Sequence, residues 1–163
     1  MNILVKTLRW TSVVSLPAFL LTIPNSPAMA GSIGSCAEDL IANGVAKTSA
    51  AVACSDALKP GDLASCVGDI KADTDIKGDD ILQACYRVRR PNELASCVTD
   101  LSSLETGQSS MALDNCRRSL LPERYAECTL DLTNIVNISS EEAMENCFTA
   151  ELKPSEVAPE TTN

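Results

Sequence analysis

The stretch Pro91-Asn-Glu93-Leu94-Ala-Ser-Cys97-Val98-Thr-Asp100-Leu101 decides how this chain is read. Proline suits the first helical position, because the N–H it lacks would find no partner there. Glu93, two positions on, sets a carboxylate at the positive end of the helix dipole. Leu94, Cys97, Val98 and Leu101 then follow the i, i+3, i+4, i+7 spacing that gathers side chains on one helix face, so the cysteine lies on the buried stripe. The same text stands earlier in the chain, where Pro60 and Asp62 lead into Leu63, Cys66, Val67 and Ile70. It returns at the same interval further on, where Pro122 leads into Tyr125, Cys128 and Leu132, with Thr129 as the weak member of the stripe.

The cysteines stand at 36, 54, 66, 85, 97, 116, 128 and 147, at intervals of 18, 12, 19, 12, 19, 12 and 19. Self-similarity at a period of about 31 residues marks a repeat architecture. Each unit carries cysteine, then aspartate, then an aliphatic residue: Cys36, Asp39, Leu40; Cys66, Asp69, Ile70; Cys97, Asp100, Leu101; Cys128, Asp131, Leu132. Pro60, Pro91 and Pro122 each lie midway between one cysteine and the next, which makes them corners between units. The second cysteine of each unit belongs to a second helix, clearest at Ser139-Ser-Glu-Glu142, a capping box ahead of Ala143, Met144 and Cys147. Its counterparts are expected near residues 49–58, 79–89 and 109–120. The fold read from this is all-α: four αα-hairpin units of about 31 residues, 36–65, 66–96, 97–127 and 128–153, stapled by disulfides into a short superhelix or bundle. They form one domain over 31–153. Ile33 stands in for the repeat leucine in a truncated first helix, and residues 154–163, from Pro154 and Glu156, read as a faded unit ending in a disordered tail.

Residues 1–30 read as a signal peptide. Lys6 and Arg9 form a positive start, Trp10 to Pro24 is largely apolar, and Ala28 and Ala30 are the small residues of a cleavage site after Ala30. The apolar run is too short for a membrane span and contains Pro17, and no later stretch of the mature chain is apolar enough to be transmembrane. The leader holds two of the 13 basic side chains and none of the 22 acidic ones, so the mature chain has 11 basic against 22 acidic groups, a net charge of −11. Such a surface repels nucleic acid and anionic lipid. Only Tyr86, Tyr125 and Phe148 remain as aromatics after Ala30. Leu, Ile, Val and Phe together make about one in five of the side chains there, a thin supply of core.

An even cysteine count behind a signal peptide points to disulfides. Pairing inside each unit, 36–54, 66–85, 97–116 and 128–147, uses every cysteine and is the preferred scheme. Pairing across the proline corners, 54–66, 85–97 and 116–128, leaves Cys36 and Cys147 without partners but is sterically open as well. No C-x-x-C occurs, so the usual spacing for thiol exchange or ribbon zinc is missing. Ile33-Gly-Ser-Cys36 has a loose likeness to a lipoprotein acylation site, which the upstream cleavage site and the place of Cys36 in the repeat disfavour.

Histidine is absent, which removes imidazole bases, Ser-His and Cys-His pairs and His-ligated zinc. No cofactor, metal or catalytic residue is expected, and the chain reads as a non-enzyme. All six arginines of the mature chain, Arg87, Arg89, Arg90, Arg117, Arg118 and Arg124, fall in one stretch of an otherwise acidic protein. They form the candidate binding patch, able to grip carboxylate, sulfate or phosphate on a partner. The competing reading is that they complement helix C-termini and pair with nearby acids. Asp73, Asp75, Gly78 and Asp79 are spaced like the start of an EF-hand, yet Lys77 occupies a ligand position and Ala84 replaces the bidentate glutamate, so a turn with a helix cap is expected. The repeated Asp39, Asp69, Asp100 and Asp131 are expected to bond the loop after each first helix. Asn137-Ile-Ser139 is a glycosylation sequon that matters only in a eukaryotic secretory pathway. The expected role is a secreted or periplasmic binding or scaffold module for a protein or other envelope or extracellular macromolecule. The alternative is a small inhibitor or effector of a secreted hydrolase.

Overall fold

A computed structural model describes residues 32–104 and 108–152. The expected signal peptide, its cleavage site and the tail from Pro154 lie outside the described residues. Within them the chain forms eight α-helices and no strand: α1 Ile33–Ala42, α2 Lys47–Asp56, α3 Pro60–Asp73, α4 Gly78–Cys85, α5 Pro91–Ser102, α6 Ser109–Arg118, α7 Pro122–Asp131 and α8 Ser140–Leu152.

The three prolines open α3, α5 and α7 at their first turn, each after a residue (Lys59, Arg90, Leu121) whose carbonyl accepts the first intrahelical bond. Ser32 starts α1 by accepting from the Ser35 N–H at 3.0 Å. Ser139 starts α8 by accepting from the Glu142 N–H at 3.2 Å. The side chain at such a cap satisfies a donor that the helix itself cannot.

Disulfides join Cys36 to Cys54, Cys66 to Cys85, Cys97 to Cys116 and Cys128 to Cys147, so every bridge lies inside a unit and none crosses a corner. Cys36 therefore spends its sulfur on a bridge. The first helices α1, α3, α5 and α7 pack side by side as one layer, and α2, α4, α6 and α8 each lie on their own bridged partner. Leu40, Val67, Ile70, Ile81, Leu94, Val98, Leu101 and Met144 fill the space between the layers, together with the cysteines. Hairpins in series have two edges. Proline corners line one edge, and the loops inside units line the other.

The second helices end earlier than periodicity implies. α4 stops at Cys85 rather than near residue 89, and α2 and α6 stop at Asp56 and Arg118. Tyr86 leaves the helix in an extended conformation and Arg87 takes φ of 61°, a left-handed value that costs a non-glycine residue energy. The corner needs these residues to reverse the chain ahead of Pro91.

Thr129, the weak member of the stripe, is buried and satisfied: its hydroxyl donates to the Tyr125 carbonyl at 3.0 Å, and Thr133 donates to the Thr129 carbonyl at 2.8 Å. Side chains that bond back to the helix loosen its ladder. The chain widens here into a π-helical turn, Leu132–Val136, closed by Asn137 at φ of 60°. Tyr125 lies across the layer, donating to the Met144 carbonyl at 3.1 Å, and burial pushes its phenol up to about 12.

Loops of one unit rest on helix starts of the next. The Ala46 N–H, ahead of α2, donates to Asp79 Oδ1 at 3.1 Å, and Ser140 donates to Gln108 Oε1 at 3.0 Å. The EF-hand likeness ends in these contacts. Gly78 opens α4 without positive φ, and Asp79 spends a carboxylate oxygen on the neighbouring unit. Among the described residues no group of three or more His, Cys, Asp or Glu side chains is placed to hold a metal ion.

Candidate functional site

The corner edge collects all six arginines, and the geometry divides them. Arg87 donates to Asp56 Oδ2 from Nε at 3.1 Å and from Nη2 at 2.5 Å, while the Tyr86 hydroxyl donates to the same oxygen at 2.5 Å. Those hydrogen bonds, from Tyr86 first and then Arg87, together with the guanidinium charge, hold the Asp56 carboxyl below its ordinary value. Arg87 also lies 5.1 Å over the Tyr86 ring. Asp56 ends the second helix of the first unit and Tyr86 and Arg87 follow the second helix of the second, so this group joins two units.

Arg118 repeats the device further along. Its guanidinium lies 4.6 Å over the Phe148 ring of the fourth unit and bonds Asp114 at 3.3 Å, and Arg117 shares that Asp114 at 3.2 Å. Arg117 and Arg118 occupy the last turn of α6, where cations complement the helix dipole. Arg90 bonds Glu93 at 3.1 Å, just as Lys59 bonds Asp62 at 3.4 Å one corner earlier. Four of the six arginines thus serve the array. Arg89 and Arg124 pair with no acid among the described residues, and both are exposed.

What periodicity does not reveal is the apolar company these arginines keep. Leu58 at the first corner is fully exposed, and Leu120 at the third is 74% exposed. Leu120, Leu121 and Arg124 also line a cleft of about 460 Å³ with Tyr125, Cys128, Cys147, Ala150 and Glu151. Glu151 Oε1 accepts from the Leu120 and Leu121 N–H groups at 2.5 and 3.0 Å, and its second oxygen is buried without a hydrogen bond. The chain turns these leucines outward because Pro122 must start α7 immediately after them. Their spacing from proline is the only signal of this in the sequence.

The repeated aspartates behave otherwise than expected. Asp39, Asp69, Asp100 and Asp131 are all exposed, and among the described residues no side-chain bond ties any of them to the following loop. Helix runs on after Asp39, Asp69 and Asp100 and a π turn follows Asp131, so the carboxylates project into water. Where Asn43 and Ser103 bond this region, they donate to the backbone carbonyls of Asp39 and Asp100.

No helix among the described residues is long and apolar enough to cross a membrane. The four disulfides suggest an oxidising compartment, since such bridges persist outside the reducing cytosol. No family model, curated protein or solved structure matches the chain.

Proposed function

We propose that this protein is a non-catalytic binding module of the periplasm or extracellular space, delivered by a signal peptide removed after Ala30. Its corner edge is the contact surface. The observation that carries the reading is that the corner edge holds both unengaged guanidiniums, Arg89 and Arg124, and outward leucines, Leu58 and Leu120, with Arg124 and Leu120 lining one cleft. Arginine beside exposed apolar side chains has the composition of a protein contact, in which a few such residues supply most of the affinity. Arg87, Arg90, Arg117 and Arg118 hold the frame on which they stand. Exposed ion pairs of this kind are weak, so a partner carboxylate can compete for the same guanidiniums. A stapled array also presents its edge with little ordering left to do on binding.

The test is capture from the envelope extract or medium of the producing cells. Wild-type protein and Asp100→Asn, altered in the last turn of α5 at the end away from its proline corner, are expected to retain the same partner. Leu58→Ser, Arg89→Ser and Arg124→Ser combined is expected to lose it by at least about tenfold, the effect of removing roughly 1.4 kcal/mol. Equal retention by the combined variant, with its bridges and helicity intact, removes the corner edge as the contact surface.

A further inference from the structure

Every junction between units has a trailing side on the earlier unit and a leading side on the later one. At the first junction, Gly68 of α3 and Gly78 of α4 lie against Asn43 and Gly44, at the seventh and eighth positions beyond Cys36. At this first junction those two positions face the following unit. In the fourth unit the residues at the same count are Ile135 and Val136, in the π turn, which are 77% and 58% exposed. Leu132 is half-buried there, whereas Ile70 and Leu101 at the same position are sealed. Among the described residues, the apolar trailing face of the fourth unit is therefore left uncovered.

The opposite end shows the complementary fault. Ile33 is 53% exposed where Leu63 and Leu94 are buried, and Ala37 is half-buried where Val67 and Val98 are sealed. Ile41 adds a third apolar residue one turn on, on the same stripe of α1, and is itself exposed. Solenoid ends that stay single normally carry a polar outer face. Both ends of this array are apolar, and three internal junctions, α1 on α3, α3 on α5 and α5 on α7, show how such faces fit.

We infer that copies of this chain join head to tail, the trailing face of the fourth unit of one copy receiving α1 of the next, so that the array continues from molecule to molecule. A heterologous contact of this kind does not close on itself in a pair and leaves both outer ends able to add another copy. The copies carry like charge, so salt strengthens the contact by screening their repulsion.

Sedimentation of the secreted, oxidised chain over a range of concentrations tests this with two variants at exposed positions, Ile33→Asp on the leading face and Val136→Asp on the trailing face. Wild type is expected to form dimers and higher steps that grow with concentration and salt. Each variant alone is expected to be monomeric, and an equal mixture is expected to stop at dimers, because one sound leading face then meets one sound trailing face. Association by either variant alone means a like-with-like contact and overturns the inference. A wild-type chain that is monomeric throughout overturns it too. If that monomer begins to associate once residues 153–163 are removed, the trailing face belongs to the chain's own C-terminal segment.

Discussion

Replacing Cys97 and Cys116 together by alanine is expected to lower stability by roughly 3 kcal/mol, and reducing all four bridges is expected to abolish cooperative unfolding. Both sulfurs are sealed between α5 and α6. A bridge across a sequence separation of 19 removes loop-closure entropy from the unfolded chain, and four together amount to the whole net stability of a small domain. The aliphatic supply is too thin to compensate, since the buried layer consists mainly of single leucines, isoleucines and valines set between cysteines and alanines. Denaturant melts of the oxidised wild type, the double variant and the fully reduced chain measure this. A loss below about 1 kcal/mol for the double variant, or a sharp transition after reduction, would show that packing alone carries the fold.

The second large effect concerns Gly78. Its position would accept any residue on backbone grounds, because its φ is not positive, and alanine near a helix start ordinarily gains up to about 1 kcal/mol over glycine. Here the sign is expected to reverse. A Cβ at residue 78 would overlap the Asn43 carbonyl oxygen and stand 2.8 Å from the Gly44 carbonyl carbon, both backbone atoms that cannot swing away. Forcing them apart opens the contact between the first and second units and is expected to cost about 1–3 kcal/mol. Gly68→Ala is the control, since its Cβ would meet only the Asn43 side-chain amide at an ordinary 3.7 Å. Parallel melts of the two variants are expected to move in opposite directions. Equal shifts would mean that the junction yields more easily than its geometry implies.

Much of the fold was legible because the repeat constrains it. Pro60, Pro91 and Pro122 mark helix starts by local chemistry, and the i, i+3, i+4, i+7 stripe around each cysteine separates inside from outside. They left two pairings open, of which the unit-internal one, preferred because it uses every cysteine, is the one found. Features that depend on a neighbouring unit were not legible. Arg87 leaves its helix to meet Asp56 at the end of the unit before, and Gly78 is required by the Asn43 carbonyl of that same earlier unit. Neither contact leaves a periodic trace.

The candidate site divides along the same line. The sequence alone singled out six arginines, and local rules of dipole and ion pairing account for Arg90, Arg117 and Arg118. Arg87 is accounted for only by the contact between units, and Arg89 and Arg124 by neither. The aspartates failed as loop anchors because helix continues to Ala42 after Asp39 and to Ser102 after Asp100, and a π turn follows Asp131, which carries the loops out of reach. The exposure of Leu58 and Leu120 follows from the path of the chain into the proline helices α3 and α7, which leaves no periodic signal.

Bridge mapping without reduction tests the stapled-unit account most directly. Trypsin cuts after lysine and arginine but not before proline, so Lys59-Pro60 and Arg90-Pro91 stay joined and the two pairing schemes yield different products. Unit-internal bridges predict peptides 90–117 and 125–163 each on its own with an internal bridge, and a linked trio in which 48–71 holds both the Cys36 peptide and 78–87. Peptide 78–87 found attached to 90–117, with 90–117 attached in turn to 125–163, would place the bridges across the corners and contradict the account.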